Sequence, residues 1–405
     1  MSRSREFVVF SLVSAFSAAA LTLWQTLLPL YLDDLGFAAW QIGVGVSLTF
    51  NLTFLLAFPS GYLVDRLGWR RSAFLALLLS LAAPLALMFV KSFEEFLLVP
   101  VLAGLSSALF TQSSVKVLVR SGTKRRGLFY SSYILLSNIG RIAASYISGF
   151  IALLYSYQVL YTCSALSVIP AIWLLTRGFK GSGAIEESAR VSAWKVVKMY
   201  LKDMRLKILV LTLFLHDFAV FIAIPYLALY AKYVIGADEV GVSLLSGTSS
   251  FTQMLFQLGS GWLTDKIGGS LTLAMHFIGI SAIYVAYSQV TSFLVALALY
   301  AAMGLIITLD LPARRFLITK YAPEEYVGAI NGFADSIVGI GTMLSAAIGG
   351  YLWSISPSLP IFAGGILNLS TLPFIFYLKY RKTRLKAEKK GGHMLGICAE
   401  KYRTG

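Results

Sequence analysis

The chain has 405 residues, of which 57% are hydrophobic and only 13% charged. Charged residues make up about a quarter of soluble domains, so this composition excludes an ordinary soluble protein. A net charge of +15 would suggest a nucleic-acid partner for a soluble protein, but here the charges are concentrated in the loops between apolar runs.

Apolar runs of about 20 residues predict membrane-spanning helices, because lipid offers no hydrogen-bond partner to an open backbone. Twelve such runs predict an all-α fold, a polytopic membrane protein of twelve transmembrane helices. In chain order, the predicted spans are Phe7–Leu32, Gln41–Val64, Ser72–Val90, Phe96–Leu118, Leu128–Leu154, Gln158–Thr176, Ile208–Ala231, Val240–Thr264, Ser270–Ser288, Phe293–Ala313, Gly328–Trp353 and Pro360–Leu378.

Lys and Arg residues are concentrated in alternate loops, those that follow the even-numbered spans. The intervening loops carry more acids, such as Asp33, Asp34, Glu94 and Glu95. Because cytoplasmic loops are enriched in Lys and Arg, both termini are predicted to be cytoplasmic. We expect a multi-pass protein of the cell (plasma) membrane, with anionic lipids at its cytoplasmic face.

An internal repeat divides the chain into two halves of the same orientation. The glycines of span 5 recur 201 positions later in span 11, as Gly127, Gly140 and Gly149 against Gly328, Gly341 and Gly350. We predict an N-terminal six-helix bundle at 1–176, a cytoplasmic linker at 177–207, a C-terminal six-helix bundle at 208–378 and a cytoplasmic tail at 379–405.

The second part of the linker has apolar residues at helical spacing between lysines and arginines. Trp194, Val197, Leu201, Met204 and Ile208 form the apolar series. This pattern predicts a basic amphipathic helix on the cytoplasmic leaflet. A solvated charged connector is the alternative.

The loop after span 2 reads Gly61-Tyr62-Leu63-Val64-Asp65-Arg66-Leu67-Gly68-Trp69-Arg70-Arg71, and 200 positions later the chain reads Gly261-Trp262-Leu263-Thr264-Asp265-Lys266-Ile267-Gly268-Gly269. The first copy resembles the G-x-L-x-D-R-x-G-R-R loop of the major facilitator superfamily (MFS) of secondary transporters. The second copy is degraded, since Lys266 replaces the Arg and the trailing basic pair is absent. The resemblance implies two parallel six-helix repeats with a substrate site between them.

The resemblance also implies that this loop latches span 2 to span 11 and closes the cytoplasmic side. Gly61 would let the helices approach, and Asp65 would meet the N-terminus of span 11, which favours a carboxylate. Arg66, Arg70 and Arg71 would reach Glu324, Glu325 or lipid phosphates, with simple membrane anchoring of Arg70 and Arg71 as the alternative. The predicted gate residues are Gly61, Asp65, Arg66, Gly68, Arg70, Arg71 and Asp265.

Ionisable residues inside spans are costly and mark functional sites. Arg141 lies past the midplane of span 5, and no acid occurs between Glu95 and Glu186. Asn138 shares its helix face. A buried guanidinium needs a partner, which predicts an anionic substrate group or an acid of the other half. Hydrogen bonds to backbone carbonyls are the alternative.

Two acids are candidates for carrying a coupled proton. Asp217 lies near the midplane of span 7, where a carboxylate could load and release a proton; a structural Asp or an ion pair with Arg141 is the alternative. Asp335 lies nearer the cytoplasmic end of span 11, and its position there is equally consistent with a gate contact and with a substrate contact. Asp310, four residues before Arg314, predicts a local ion pair.

The remaining polar residues of the spans are weaker candidates. Gln25, Gln112 and Gln253 are predicted substrate contacts, and helix–helix hydrogen bonds are the alternative. His276 is expected to be structural, and His216 to face lipid or a neighbouring helix. The two cysteines and three histidines show no disulfide or metal-ligand spacing, so we expect no metal and no cofactor.

Two departures from the family pattern limit the functional prediction. Many proton-coupled antiporters carry an Arg four residues before a Gly in span 4, but here Pro100 precedes Gly104. The G-x-x-x-G-P-x-x-G-G run of drug antiporters is reduced in span 5 to its outer glycines, Gly140 and Gly149. Export by antiport is permitted by the sequence but is not indicated by these motifs.

We therefore predict a secondary active transporter of a small solute that works by alternating access, is proton-coupled and exports its substrate. It is not expected to be an enzyme, because no nucleophile–base pair is apparent. We expect a small-molecule substrate, no nucleic acid and a monomer. The alternatives are an organic-anion uptake carrier, a lipid flippase or scramblase, and a transport-dead sensor on the same scaffold.

Overall fold

The structure is a computed structural model that describes residues 3–120, 126–179, 198–199, 202–323 and 326–380. Every regular element in these ranges is helical. Eleven helical segments are long and apolar enough to cross a membrane. The remaining predicted span is a continuous helix of 29 residues, Glu239–Ile267, whose serines, threonines and glutamines lower its hydropathy.

The helices follow the predicted order, and spans 1, 4, 7, 10 and 12 are each built from more than one helical piece, span 12 having a 3-10 turn at Leu369–Thr371. Spans 1 to 6 are Arg3–Gln25 with Leu28–Asp34, Ala39–Leu67, Trp69–Leu87, Phe93–Phe96 with Leu98–Arg120, Arg126–Leu154 and Tyr157–Gly178. Spans 7 to 12 are Met204–Tyr230 extended by a π-helical turn at Ala231–Ile235, Glu239–Ile267, Gly269–Tyr287, Phe293–Ile307 with Asp310–Tyr321, Val327–Ile355 and Leu359–Tyr380. Most of the predicted amphipathic part of the linker, the tail beyond Tyr380, and Glu324 and Glu325 lie outside the described residues. Met204 and Ile208, the last apolar residues of the predicted linker helix, belong instead to the helix of span 7.

The internal repeat is visible in backbone geometry. Spans 2 and 8 each have 29 residues and are followed by spans of 19 residues. The residue between the two helices is Gly68 in one half, at φ 82°, and Gly268 in the other, at φ 87°. Side chains rarely tolerate this region of φ, which explains why the motif keeps a glycine at this turn.

The two ends of the bundle differ in how the halves meet. We call the end that carries Gly68 and Gly268 the linker end, and the end that carries the turns at Gly36 and Gly236 the opposite end. Near the opposite end, span 5 packs on span 8 and span 2 on span 11. A Cβ added to Gly149 would come 2.3 Å from the Glu239 carbonyl oxygen, and one added to Gly350 would come 2.3 Å from the Trp40 Cα. These two glycines are repeat-related, so the same kind of close helix–helix contact at a glycine joins the halves in two places.

Candidate functional site

The polar contacts between the halves, within the described residues, lie in the part of the bundle toward the opposite end. Ser47 of span 2 donates to the Thr342 carbonyl at 2.9 Å, and the Tyr226 hydroxyl of span 7 lies 3.1 Å from the Ala39 carbonyl oxygen of span 2. Between spans 5 and 8, the hydroxyls of Tyr146 and Thr248 lie 3.3 Å apart. These contacts close the space between the halves on that side.

Toward the linker end the halves separate. Gly261 on span 8 and Gly332 on span 11 have open space where a Cβ would be. Gly61 on span 2 faces only Gln112 of its own half, 3.9 Å from such a Cβ. The structure is therefore a conformation with a gap between the halves that opens at the linker end.

Arg141 faces the interior from span 5. The side of the helix opposite to it is apolar and exposed, as expected for lipid contact, and carries Leu135, Ile139, Ile147 and Phe150. Gly140, one residue earlier, packs on the Ala15 carbonyl of span 1, and Gly149 packs on span 8. Arg141 lies on the arc between these two contacts, and its side chain is nevertheless exposed. An exposed residue on the face that points into the bundle indicates that Arg141 borders the gap.

Arg141 makes no hydrogen bond or ion pair with any described residue. Asn138, Gln25 and Gln253 are partly buried and make no side-chain hydrogen bond in the same parts of the chain. Gln112 donates to the Ala57 carbonyl at 3.5 Å, a contact between spans 4 and 2. The predicted substrate contacts thus keep free hydrogen-bonding groups, and the structure pairs none of them with Arg141.

Asp217 is paired with Arg314 of span 10 and not with Arg141. Arg314 Nη1 lies 2.7 Å from Asp217 Oδ2, and Nη2 lies 3.3 Å from Oδ1. The predicted local pair is also present, with Arg314 Nη2 at 2.8 Å from Asp310 Oδ2. The Arg314 side chain is only 9% exposed, so two carboxylates compensate one buried guanidinium.

Next to this group, two histidines contact each other. Nε2 of His216 and Nε2 of His276 are 3.1 Å apart, and both residues are buried. His216 Nδ1 lies 2.7 Å from Asn368 Oδ1 of span 12, and His276 Nδ1 lies 2.9 Å from the Ile306 carbonyl oxygen. Both histidines therefore contact neighbouring helices and belong to the interior of the second half.

Asp335 forms a separate ion pair toward the linker end. Arg315 Nη2 lies 3.1 Å from Asp335 Oδ2, and Arg315 also donates to Asn331. Asp335 is one helical turn before Gly339, whose face meets Asn51 and Leu55 of span 2. This position borders the gap just beyond the last contact between spans 2 and 11.

The gate motif is held within its own half in this conformation. Asp65 Oδ1 lies 2.7 Å from Lys116 Nζ of span 4, and Arg70 Nη2 donates to the Thr176 carbonyl of span 6 at 2.9 Å. Arg71 is exposed. The predicted contact of Asp65 with span 11 is absent from the described part of the structure, as expected when the linker end is open.

The second copy of the motif preserves the geometry but not the ion pair. Lys266 lies over the Trp262 ring at 4.7 Å, as Arg66 lies over the Tyr62 ring at 5.0 Å. Asp265 is exposed and pairs with no described cation. The counterpart of Asp65 therefore lacks a counterpart of Lys116.

Three residues have partners that the sequence did not predict. Lys116 lies within predicted span 4 and was given no role, and Arg314 was assigned only to Asp310. His276 was assigned a structural role alone. Pairs such as Asp65 with Lys116, 51 positions apart, have no local spacing signal; only a cation on the inner face of span 4 could have suggested this one.

The sequence profile of the Major Facilitator Superfamily matches residues 10–206 and 209–397. The chain therefore belongs to this superfamily. It is a membrane transporter and not an enzyme, and the predicted fold class is confirmed.

The relatives found among known proteins are also MFS-type transporters. An uncharacterised MFS-type transporter of Methanocaldococcus jannaschii is 21% identical over 358 residues, covering 85% of this chain and 87% of the relative. An uncharacterised MFS-type transporter of Escherichia fergusonii is 31% identical over 122 residues, covering 30% of this chain and 32% of that relative. The chain thus matches about a third of the second relative and most of the first.

Solved structures share the fold at low identity. A crystal structure of a peptide transporter POT, in complex with sulfate, superposes with a TM-score of 0.75 at 15% identity, covering 93% of this chain and 94% of the other. The nucleoside transporter NupG superposes with a TM-score of 0.74 at 15% identity, covering 93% and 98%. At these identities the likeness concerns the fold alone.

Proposed function

We propose that this protein is a proton-coupled secondary transporter that moves a small organic anion by alternating access. The observation that carries the proposal is Arg141, a guanidinium on the inward face of span 5 with no partner among the described residues. A planar guanidinium with free donors matches a carboxylate or phosphate group. Asn138, Gln25 and Gln253 supply further donors and acceptors for the rest of the solute.

The conformation fits the proposal. With both termini and the linker placed in the cytoplasm, the linker end faces inward, and the gap is open to the cytoplasm. The repeat-related contacts at Gly149 and Gly350 then seal the outer side. A solute would reach Arg141 from the cytoplasm in this state, which suits export, the direction that we propose; organic-anion uptake is the alternative.

Asp335 is the proton carrier that we propose. Asp217 was the first candidate from the sequence, but both of its oxygens are engaged by the buried Arg314. Asp335 receives one hydrogen bond from Arg315, whose side chain is 38% exposed. Among the described residues, Arg315 is the polar side chain that contacts Asp335, and Arg315 also donates to Asn331. A carboxylate that accepts one hydrogen bond from an accessible partner can exchange a proton with water in the gap more readily than a carboxylate whose two oxygens are both bound.

Binding experiments test the role of Arg141. Purified protein would be screened by thermal shift against carboxylates, phosphates and their neutral esters or amides. We expect that only the anionic member of each pair of acid and neutral ester or amide stabilises the protein. Arg141→Lys should lower the affinity by about 10-fold or more, because a charge-assisted hydrogen bond is lost. Arg177→Lys, an exposed Arg at the linker end, is the matched control. Equal stabilisation by neutral analogues would overturn anion recognition.

Transport experiments test the coupling. In proteoliposomes, Asp335→Asn should abolish accumulation driven by a pH gradient while sparing exchange of substrate across the membrane. Glu94→Gln, an exposed acid at the opposite end, should change neither. The sign of the gradient that drives accumulation separates export from uptake. Gradient-driven accumulation by Asp335→Asn at the wild-type level would exclude Asp335 as the carrier.

The finer assignments of place and assembly are also proposals. We propose a monomer in the cell membrane, two bundles at 1–176 and 208–378, and a linker helix that binds anionic lipids on the cytoplasmic face. The exposed apolar side of span 5 gives no support to a lipid flippase or scramblase, which needs polar residues on the membrane face.

A further inference from the structure

The His216–His276 pair has a fixed arrangement of donors and acceptors. Asn368 Nδ2 donates to the Phe277 carbonyl at 3.0 Å and to Ser281 Oγ at 3.1 Å. This orients the amide so that Oδ1 accepts from His216, and Nδ1 of His216 therefore carries a proton. His276 Nδ1 also carries one, because its partner is the Ile306 carbonyl, which can only accept.

Neutral imidazoles with protonated Nδ1 atoms leave Nε2 with a lone pair. The two Nε2 atoms then face each other at 3.1 Å with no hydrogen between them, which is repulsive unless a cation lies there. Two imidazole nitrogens bound to one tetrahedral Zn²⁺, at bond lengths of 2.0–2.1 Å, are about 3.3 Å apart. The separation in the structure is within a few tenths of an ångström of that value.

Asp310 supplies a third ligand. Ligand atoms of His216, His276 and Asp310 all lie within 4.8 Å of one another. Arg314 donates to both oxygens of Asp310, from Nε to Oδ1 at 3.1 Å and from Nη2 to Oδ2 at 2.8 Å. A carboxylate has about four lone-pair sites, so Asp310 can keep these two contacts and still bind a metal. With Asp217, Asp310 and Arg314 ionised, the group has a net charge of −1, which attracts a cation.

We infer that His216, His276 and Asp310 form a binding site for a divalent transition metal of the Zn²⁺ class. Two imidazoles and one carboxylate are typical zinc ligands, and a fourth position stays open to water. The bonds from Nδ1 to Asn368 and to Ile306 are the outer contacts that orient metal-binding histidines. Phe277, whose ring lies 4.5 Å from that of His216, gives the site an apolar wall.

The broken helix of span 10 helps to form the site. The span is interrupted at Thr308–Leu309, between Phe293–Ile307 and Asp310–Tyr321. The interruption turns the Ile306 carbonyl to His276 and places Asp310 at the start of the second piece. A bound metal would therefore tie spans 7, 9 and 10 together. This site is independent of Arg141 and Asp335, so it stands whether or not the proposed substrate class is right.

Metal binding is tested on full-length protein, stripped with a chelator and free of a polyhistidine tag. Added Co²⁺ should give the visible absorption of a tetrahedral nitrogen–oxygen site at one equivalent, and Zn²⁺ should displace it. His276→Gln and His216→Gln should each abolish the signal. Asn368→Ala, which removes an orienting contact, should weaken affinity by about 10- to 100-fold. His393→Gln, in the tail outside the described residues, is the control and should bind as wild type.

The wild-type spectrum makes the inference testable even if a histidine variant fails to fold. Absence of stoichiometric Co²⁺ and Zn²⁺ binding by folded wild-type protein would overturn it, and would leave a shared proton as the cation between the rings. Binding that survives both histidine substitutions, or is lost in His393→Gln, would place the metal elsewhere and would overturn it as well.

Discussion

Lys232 of span 7 bridges two consecutive aspartates of span 1, with Nζ 2.9 Å from Asp33 Oδ2 and 2.7 Å from Asp34 Oδ1. The Tyr233 hydroxyl donates to the same Asp33 at 2.8 Å. Spans 1 and 7 are repeat-related and belong to different halves. This group therefore joins the two halves at the opposite end, beyond the glycine contacts.

Substitution of Lys232 should favour opening of the opposite end. An exposed ion pair contributes up to about 1 kcal/mol, so Lys232→Gln should shift the conformational equilibrium by about fivefold. Spin labels at Glu94 and Gln289, in a background without Cys163 and Cys398, would report longer distances. Lys91→Gln, at the same end, is the control. Distance distributions identical in both variants would show that the pair does not hold the halves.

Asp65 should exchange partners during transport. It pairs with Lys116 when the linker end is open, and the gate motif predicts a contact with span 11 when it closes. Asp65→Asn loses both contacts and should favour the state that is open at the linker end, because the partly exposed pair with Lys116 contributes little. Lys116→Gln should release Asp65 and favour closure. Labels at Leu67 and Val327 measure both shifts.

Asp265→Asn provides the matched control for this exchange. It changes the same residue type at the repeat-related position, where no described cation is paired. We expect a smaller change than for Asp65→Asn. Shifts of the same sign for Asp65→Asn and Lys116→Gln would contradict a partner exchange.

The Asp217–Arg314 pair should be a major contributor to the stability of the second half. Asp217→Asn should lower the free energy of unfolding by about 3–5 kcal/mol, because it leaves a buried guanidinium half-compensated. Unfolding in mixed micelles measures the change. Asp203→Asn, which disrupts an exposed pair with Arg205, should cost less than about 1 kcal/mol. A similarly small loss of unfolding free energy in Asp217→Asn would show that Asp310 alone compensates the charge of Arg314.

A methyl group at Gly350 should prevent full closure of the opposite end. Gly350→Ala would push against the Trp40 backbone and force spans 2 and 11 apart. We expect loss of transport and longer distances at the opposite end. Gly261→Ala, which meets open space in this conformation, should leave the distances at the opposite end unchanged and should retain stability, since alanine is the better helix former. Normal transport by Gly350→Ala would show that the helices have room to adjust.

The sequence predicted the helices and the superfamily because both depend on local signals. Apolar runs specify spans, and the Asp65 loop with its repeat at Asp265 specifies the family. Span 8 was predicted from its apolar run like the others, although its polar side chains keep its hydropathy below that of the eleven helices that are apolar enough to cross a membrane. Turn glycines such as Gly68 have a local conformational reason, so they too are visible in the sequence.

The partners of charged residues could not be predicted in the same way. Arg141 was predicted because a charged residue within an apolar run stands out in the sequence. Its exposure to the gap depends on tertiary packing and could not be predicted in this way. Asp217 could have paired with Arg141 or Arg314, since each lies on an inner span. The His216–His276 contact joins residues 60 positions apart through the rotation of two helices about their axes, which no residue spacing encodes.

Two consecutive arginines on the second piece of span 10 bind acids on different helices: Arg314 holds Asp217 of span 7, and Arg315 holds Asp335 of span 11. This 12-residue piece begins just after the interruption of the span at Thr308–Leu309. It therefore connects spans 7 and 11 through two adjacent ion pairs. Neutralising Asp335 would free Arg315, the neighbour of the Arg314 that holds Asp217, so the two acids can influence each other without any direct contact between them.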